Sequence, residues 1–113
     1  MATIEGVREL ALSLPRSYEV LVRDRVKFRV GHIVYLSFAR DESLMGFASP
    51  KEERAALIEA EPDKFLMPKL SDQRYNWLVV RLAAIDDEEM RELVIEAWRM
   101  VVPKKVAAAH LGD

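Results

Sequence analysis

The chain contains no cysteine, and that absence removes thiol nucleophiles, thiolate zinc sites and disulfide frameworks together. Glycine is scarce: Gly6, Gly31, Gly46 and Gly112 stand apart from one another, so no glycine-rich loop can cradle a phosphate. The two histidines, His32 and His110, are distant and fit no ligand spacing, so neither a metal nor a cofactor is expected. None of the serines sits in a G-x-S-x-G motif. Also missing is any apolar run near the roughly 18 residues that a membrane span requires. The opening Met1-Ala2-Thr3 leads into an amphipathic, partly acidic pattern rather than a secretory signal. A net charge of only −2 argues against polyanion binding by the whole surface, so an anion-binding role must rest on a local patch.

What is present has the balance of a folded domain, with 50% hydrophobic and 32% charged residues. A chain of 113 residues is expected to form a single domain over 1–113. At that length it buries about two thirds of its unfolded surface and needs no staple. A soluble cytoplasmic protein is the expectation.

Ile4, Val7, Leu10, Ala11 and Leu14 recur at helical spacing, with Thr3 as N-cap and Pro15 as stop. From Tyr18 to Ala48 the period changes to two, with strands expected near 19–22, 25–30, 33–39 and 43–48. Ser49-Pro50-Lys51-Glu52 reads as a capping box opening a second helix that stops at Glu61-Pro62. A short extended segment over Lys64–Lys69 is followed by a strand from Tyr75 to Leu82. Asp86, Asp87, Glu88 and Glu89 look like paired carboxylates, but a helix N-terminus accounts for them. That last helix carries Met90, Leu93, Val94, Ala97 and Val101 as its core stripe. It ends at Pro103, with Lys104 and Lys105 at the negative end of its dipole. The order is helix, four strands, helix, two strands, helix. This predicts an α+β fold, a mostly antiparallel sheet with three helices packed on one face.

The richest segment is Arg23-Asp24-Arg25-Val26-Lys27-Phe28-Arg29-Val30, basic at every second position. On a strand, Arg23, Arg25, Lys27 and Arg29 would form a cationic row about 20 Å long, with Val26, Phe28 and Val30 facing the core. Pairing Val26, Phe28 and Val30 with Val34, Leu36 and Phe38 through a three-residue loop buries the apolar set together, leaving Tyr35 and Ser37 on the solvent face. The row is then either a solubilising, edge-protecting surface or a binding surface. Four like charges side by side repel, which favours binding. Tyr75 and Trp77, preceded by Lys69 and Arg74, are the ingredients of a stacking platform for bases or flat ligands, or else simple core residues. Nothing assembles a catalytic site, so an enzyme is not expected.

Several stretches resemble the MmcQ/YjbR family of small bacterial proteins. They are Glu61-Pro62-Asp63-Lys64-Phe65, Tyr75-Asn76-Trp77-Leu78-Val79-Val80-Arg81-Leu82, and the ending Trp98-Arg99-Met100-Val101-Val102-Pro103-Lys104-Lys105. Arg8-Glu9-Leu10-Ala11-Leu12-Ser13-Leu14-Pro15 and Phe28-Arg29-Val30-Gly31 extend the likeness over nearly the whole chain. Where many members carry Gly-Lys at the hairpin, this chain has Gly31-His32. The resemblance implies an α+β fold similar to winged DNA-binding architectures and to type III secretion chaperones, with no activity, cofactor or metal. DNA is therefore the expected partner, contacted by Arg23, Arg25, Lys27 and Arg29 with Lys104 and Lys105 as auxiliaries. The alternative is a protein-interaction or chaperone-like module, and a small-ligand pocket around Lys69, Arg74, Tyr75 and Trp77 comes third.

Overall fold

Helix formation begins where the sequence places a cap. The computed structural model describes residues 1–112, and in it Thr3 Oγ1 accepts a hydrogen bond from the Gly6 N–H at 3.2 Å, opening α1 (Ile4–Ser13). Four strands follow: β1 (Ser17–Val22), β2 (Arg25–Val30), β3 (Ile33–Phe38) and β4 (Leu44–Ala48). Next come α2 (Lys51–Ala60), the two-residue β5 (Phe65–Leu66), a 3-10 turn at Leu70–Asp72 and β6 (Trp77–Arg81). After a second 3-10 turn, the chain closes with α3 (Asp87–Arg99) and α4 (Lys104–Leu111). The α+β class is as expected, with four helices rather than three.

The six strands form one antiparallel sheet in the order β1-β2-β3-β4-β6-β5. One face is the core. Phe28, Leu36, Phe47 and Leu78 pair laterally across it, as do Met45, Val80 and Phe65, and all are buried. Helices α1 and α3 pack on the sheet and on each other, contributing Val7, Ala11, Val94, Ala97 and Trp98 to the same core. A bidentate Arg8–Glu19 pair at 2.9 and 3.2 Å ties α1 to β1. Trp98 is wholly buried and its Nε1–H donates to the Pro15 carbonyl at 2.9 Å, joining α3 to the α1–β1 loop.

The β2–β3 hairpin departs from expectation in an instructive way. Gly31 has φ +60°, and Val30 pairs with Ile33, so the turn has two residues, not three. That register alone would turn Val26 and Phe28 away from the apolar side chains of β3. A bulge restores it: Arg29 pairs with Val34 but Phe28 pairs with Leu36, leaving Tyr35 as the extra residue. Tyr35 is consequently not on the solvent face but fully buried, its phenol sharing a hydrogen bond with the Ser17 hydroxyl.

Other local expectations yield to tertiary partners. The capping box at Ser49 does not form; the N-cap position falls on Pro50 and no side chain of that segment caps α2. Asn76, remote in sequence, takes the role: its Oδ1 accepts from the Lys51 N–H at 3.0 Å and its carbonyl from the Ser49 N–H at 3.2 Å. Tyr75 and Asn76 therefore lie before β6 rather than within it. Arg23 and Asp24 occupy the β1–β2 turn with φ of 51° and 67°, so Arg23 leaves the strand row. Lys104 and Lys105 do not close α3 but open α4.

Two outcomes follow. Asn76→Ala should cost about 1 kcal/mol in urea denaturation, while Ser49→Ala stays within about 0.5 kcal/mol of wild type; the reverse ranking would show that Ser49 is the cap. Burial pushes the Tyr35 phenol above its ordinary value, partly offset by Ser17. A raised phenol leaves stability intact below the unfolded pKa of about 10 and erodes it as pH rises further. With Tyr18 and Tyr75 replaced by phenylalanine, alkaline titration should show the remaining Tyr35 phenolate appearing above the range of a free phenol, and Tyr35→Phe should extend the native range upward; phenolate signal within that ordinary range at native circular dichroism would contradict this.

Candidate functional site

Helices α1 and α3 occupy one face, and the other presents strand residues flanked by the segment after β5 and by Met100 and Val101 beyond α3. Along it Val20, Lys27, Ser37, Gly46, Val79 and Leu66 are laterally paired in succession, one row crossing all six strands. The segment after β5 forms a wall beside this row. Together they enclose a groove of about 700 Å³, floored by Lys27, Ser37, Gly46 and Val79 and walled by Met67, Lys69 and Tyr75 among others. Its volume lies in the usual range of ligand sites.

The structure gathers residues that the sequence had put in two separate groups. Arg25 and Lys27 enter from β2, while Lys69, Tyr75 and Trp77 enter from the far side, and all five line the groove. Among the described residues, Asp72 is the one carboxylate in the lining. Arg29 shares the face of Lys27 but stands outside the groove, its Nε buried without a hydrogen-bond partner among the described residues. Arg74 backs the site: its Nη2 donates to the Tyr75 hydroxyl at 2.8 Å and its guanidinium lies 4.8 Å from that ring's centre. Arg23 in its turn, and Lys104 and Lys105 on α4, are exposed and do not line the groove.

Sequence reasoning missed the parts that hold these side chains in place. Trp77, half-buried, rests the Nε1–Cζ2 side of its indole on Gly46. A β-carbon at Gly46 would meet those ring atoms at 2.6 to 2.9 Å. A lone glycine inside a strand is the signal that could have pointed there. The backbone carrying the aromatics is gripped from α2 by Arg54, whose guanidinium donates to the carbonyls of Tyr75 at 3.2 Å, Trp77 at 3.3 Å and Gln73. Lys51 Nζ adds a bond to the Arg74 carbonyl at 3.1 Å, and Gln73 Nε2 donates to the Pro68 carbonyl at 2.9 Å. No linear motif marks Arg54, because its partners lie some twenty residues away.

This sheet and groove place the chain among known proteins. A family model described as YjbR matches residues 12–100. The chain belongs to the YjbR family. The YjbR match takes in every groove residue except Val101 and leaves out Lys104 and Lys105. Among solved structures, the chain is similar to the Deinococcus radiodurans protein DR2400, described as having the family-model domain DUF419. The TM-score is 0.78 at 22% identity, over 99% of this chain and 89% of that one. At that identity the likeness is one of fold. A search of curated proteins finds no match.

In this YjbR chain Gly46→Ala should force the indole of Trp77 off its seat, with a loss of about 1–3 kcal/mol. Intrinsic fluorescence checks it, since Trp98 is sealed in the core. An unchanged spectrum together with unchanged stability would show that the indole does not need the glycine.

Proposed function

We propose that this chain is a non-enzymatic DNA-binding protein of the cytoplasm that uses the open face of its sheet. The observation carrying this reading is the convergence of Arg25, Lys27 and Lys69 on one groove against one carboxylate among the described residues, Asp72. In a chain of net charge −2, a concave site with three cations to one anion concentrates positive potential where a ligand must enter. Arg29 on the same face adds to it. Cations of this kind neutralise phosphates and set position without reading bases, so binding is independent of sequence. Lys104 and Lys105, outside the groove, are dispensable to this reading. A protein partner on the same face is the competing possibility, and it predicts no affinity for DNA even at low salt.

Titrating labelled oligonucleotides at several salt concentrations tests it. Three neutralised phosphates give a log–log salt slope of about −2 to −3. Replacing Arg25, Lys27 and Lys69 with glutamine should bring that slope close to zero while circular dichroism stays native. Equal slopes for wild type and triple variant, or no binding by wild type at low salt, would overturn the reading.

A further inference from the structure

We infer that the groove takes single-stranded DNA, with an unpaired base stacked against the indole of Trp77, in preference to duplex. This rests on the DNA reading above and specifies the form of the ligand. Three features of the site lead there. The cations stand on opposite sides of a concavity, Arg25 and Lys27 on β2 and Lys69 beyond β5. A backbone must enter the groove to meet both sides, which a single strand can do and a rigid rod with outward phosphates cannot. The floor is a sheet and the wall beside it is irregular chain with one short 3-10 turn. Neither offers the α-helix or two-stranded ribbon that a duplex major groove admits.

The third feature is the aromatic pair. Trp77 and Tyr75 line the same groove as the cations, and Tyr75 is 52% exposed. Cations that track a backbone beside rings that stack bases are the two elements of single-strand recognition, and stacking is indifferent to base identity. The Trp77 ring is also fixed before any ligand arrives. Gly46 supports its edge, Arg54 holds the carbonyls on either side of Asn76, and Asn76 is bonded to the start of α2. A platform already ordered loses little conformational freedom on binding. The remaining lining is mainly aliphatic, including Val34, Leu44, Leu66, Met67 and Val79, which suits the flat faces of bases better than ribose or phosphate.

The test uses the whole chain, a labelled oligothymidylate and a duplex of equal length at low salt, followed by anisotropy and by tryptophan emission. Wild type should bind the single strand at least about ten-fold more tightly than the duplex. It should also show quenched emission, a signal that reports Trp77 because Trp98 is fully buried. Trp77→Leu should weaken single-strand binding about ten-fold with the salt slope unchanged, because stacking is lost and the cations are not. Trp77→Phe should retain most of the affinity. Duplex bound as tightly as single strand, or emission unmoved at saturation, overturns this inference while the DNA reading stands. Failure of wild type to bind either form overturns both. Should Trp77→Leu not fold, wild-type emission quenched by acrylamide decides: bound oligothymidylate must shield it, and unaltered accessibility refutes the stacking.

Discussion

Side chains on a strand alternate between faces, and this sheet has helices enough to cover only one of them. Everything else in the molecule adjusts to that constraint. Phe28, Leu36, Phe47 and Leu78 must all point toward α1 and α3, which obliges Lys27, Ser37, Gly46 and Val79 to point away. The bulge at Tyr35 shows how strongly the rule is enforced. A tight Gly31-His32 turn and a shared apolar face demand registers that differ by one residue, and the extra residue reconciles them. Burying the Phe28 ring stabilises the fold by about 2–3 kcal/mol relative to exposing it, so the turn stays tight and β3 takes up the extra residue rather than turning Phe28 out of the core.

The uncovered face is where polar chemistry can collect without harm to the core. A cation in the core would be prohibitive without a partner, but Arg25 and Lys27 on the open face remain in contact with water. The groove exists because the segment between β5 and β6 folds against that face. Polar bonds hold it there: Arg54 reaching back from α2, Asn76 capping α2, Gln73 closing on Pro68. Each is worth about 0.5–1.5 kcal/mol, more where a charged donor is used. Helix α2 buries no residue fully, with Leu57 and Ile58 packed only in part against the core, so these bonds add to a partial apolar contact in joining it to the site wall.

Local signals were legible where the partner is also local. Thr3 and Asp86 cap their helices because the N–H groups they accept from are three residues away. Ser49 has the same credentials and fails, because Asn76 reaches the α2 terminus from across the fold. Helix α3 ends at Arg99, short of Pro103, and the lysines after that proline begin another helix, which His110 anchors by its ring contact with Trp98 at 5.6 Å. That contact joins side chains from two helices and has no counterpart in a sequence window. Trp77 and Tyr75 were recognisable as a candidate platform from composition alone, while Gly46, on which the platform rests, was not.

By itself the sequence determined the order of elements as far as α3, the alternation of β2, the α+β class and the absence of thiol chemistry, since periodicity and composition are properties of short stretches. Tertiary structure decided which cations share a site. Arg25 and Lys27 meet Lys69, Tyr75 and Trp77 only because β6 pairs with β4 in the sheet, so that β3, β4 and β6 carry Ser37, Gly46 and Val79 as the floor between β2 and the segment after β5. Strand order in a sheet depends on which apolar faces pack together at long range, and no local pattern encodes it.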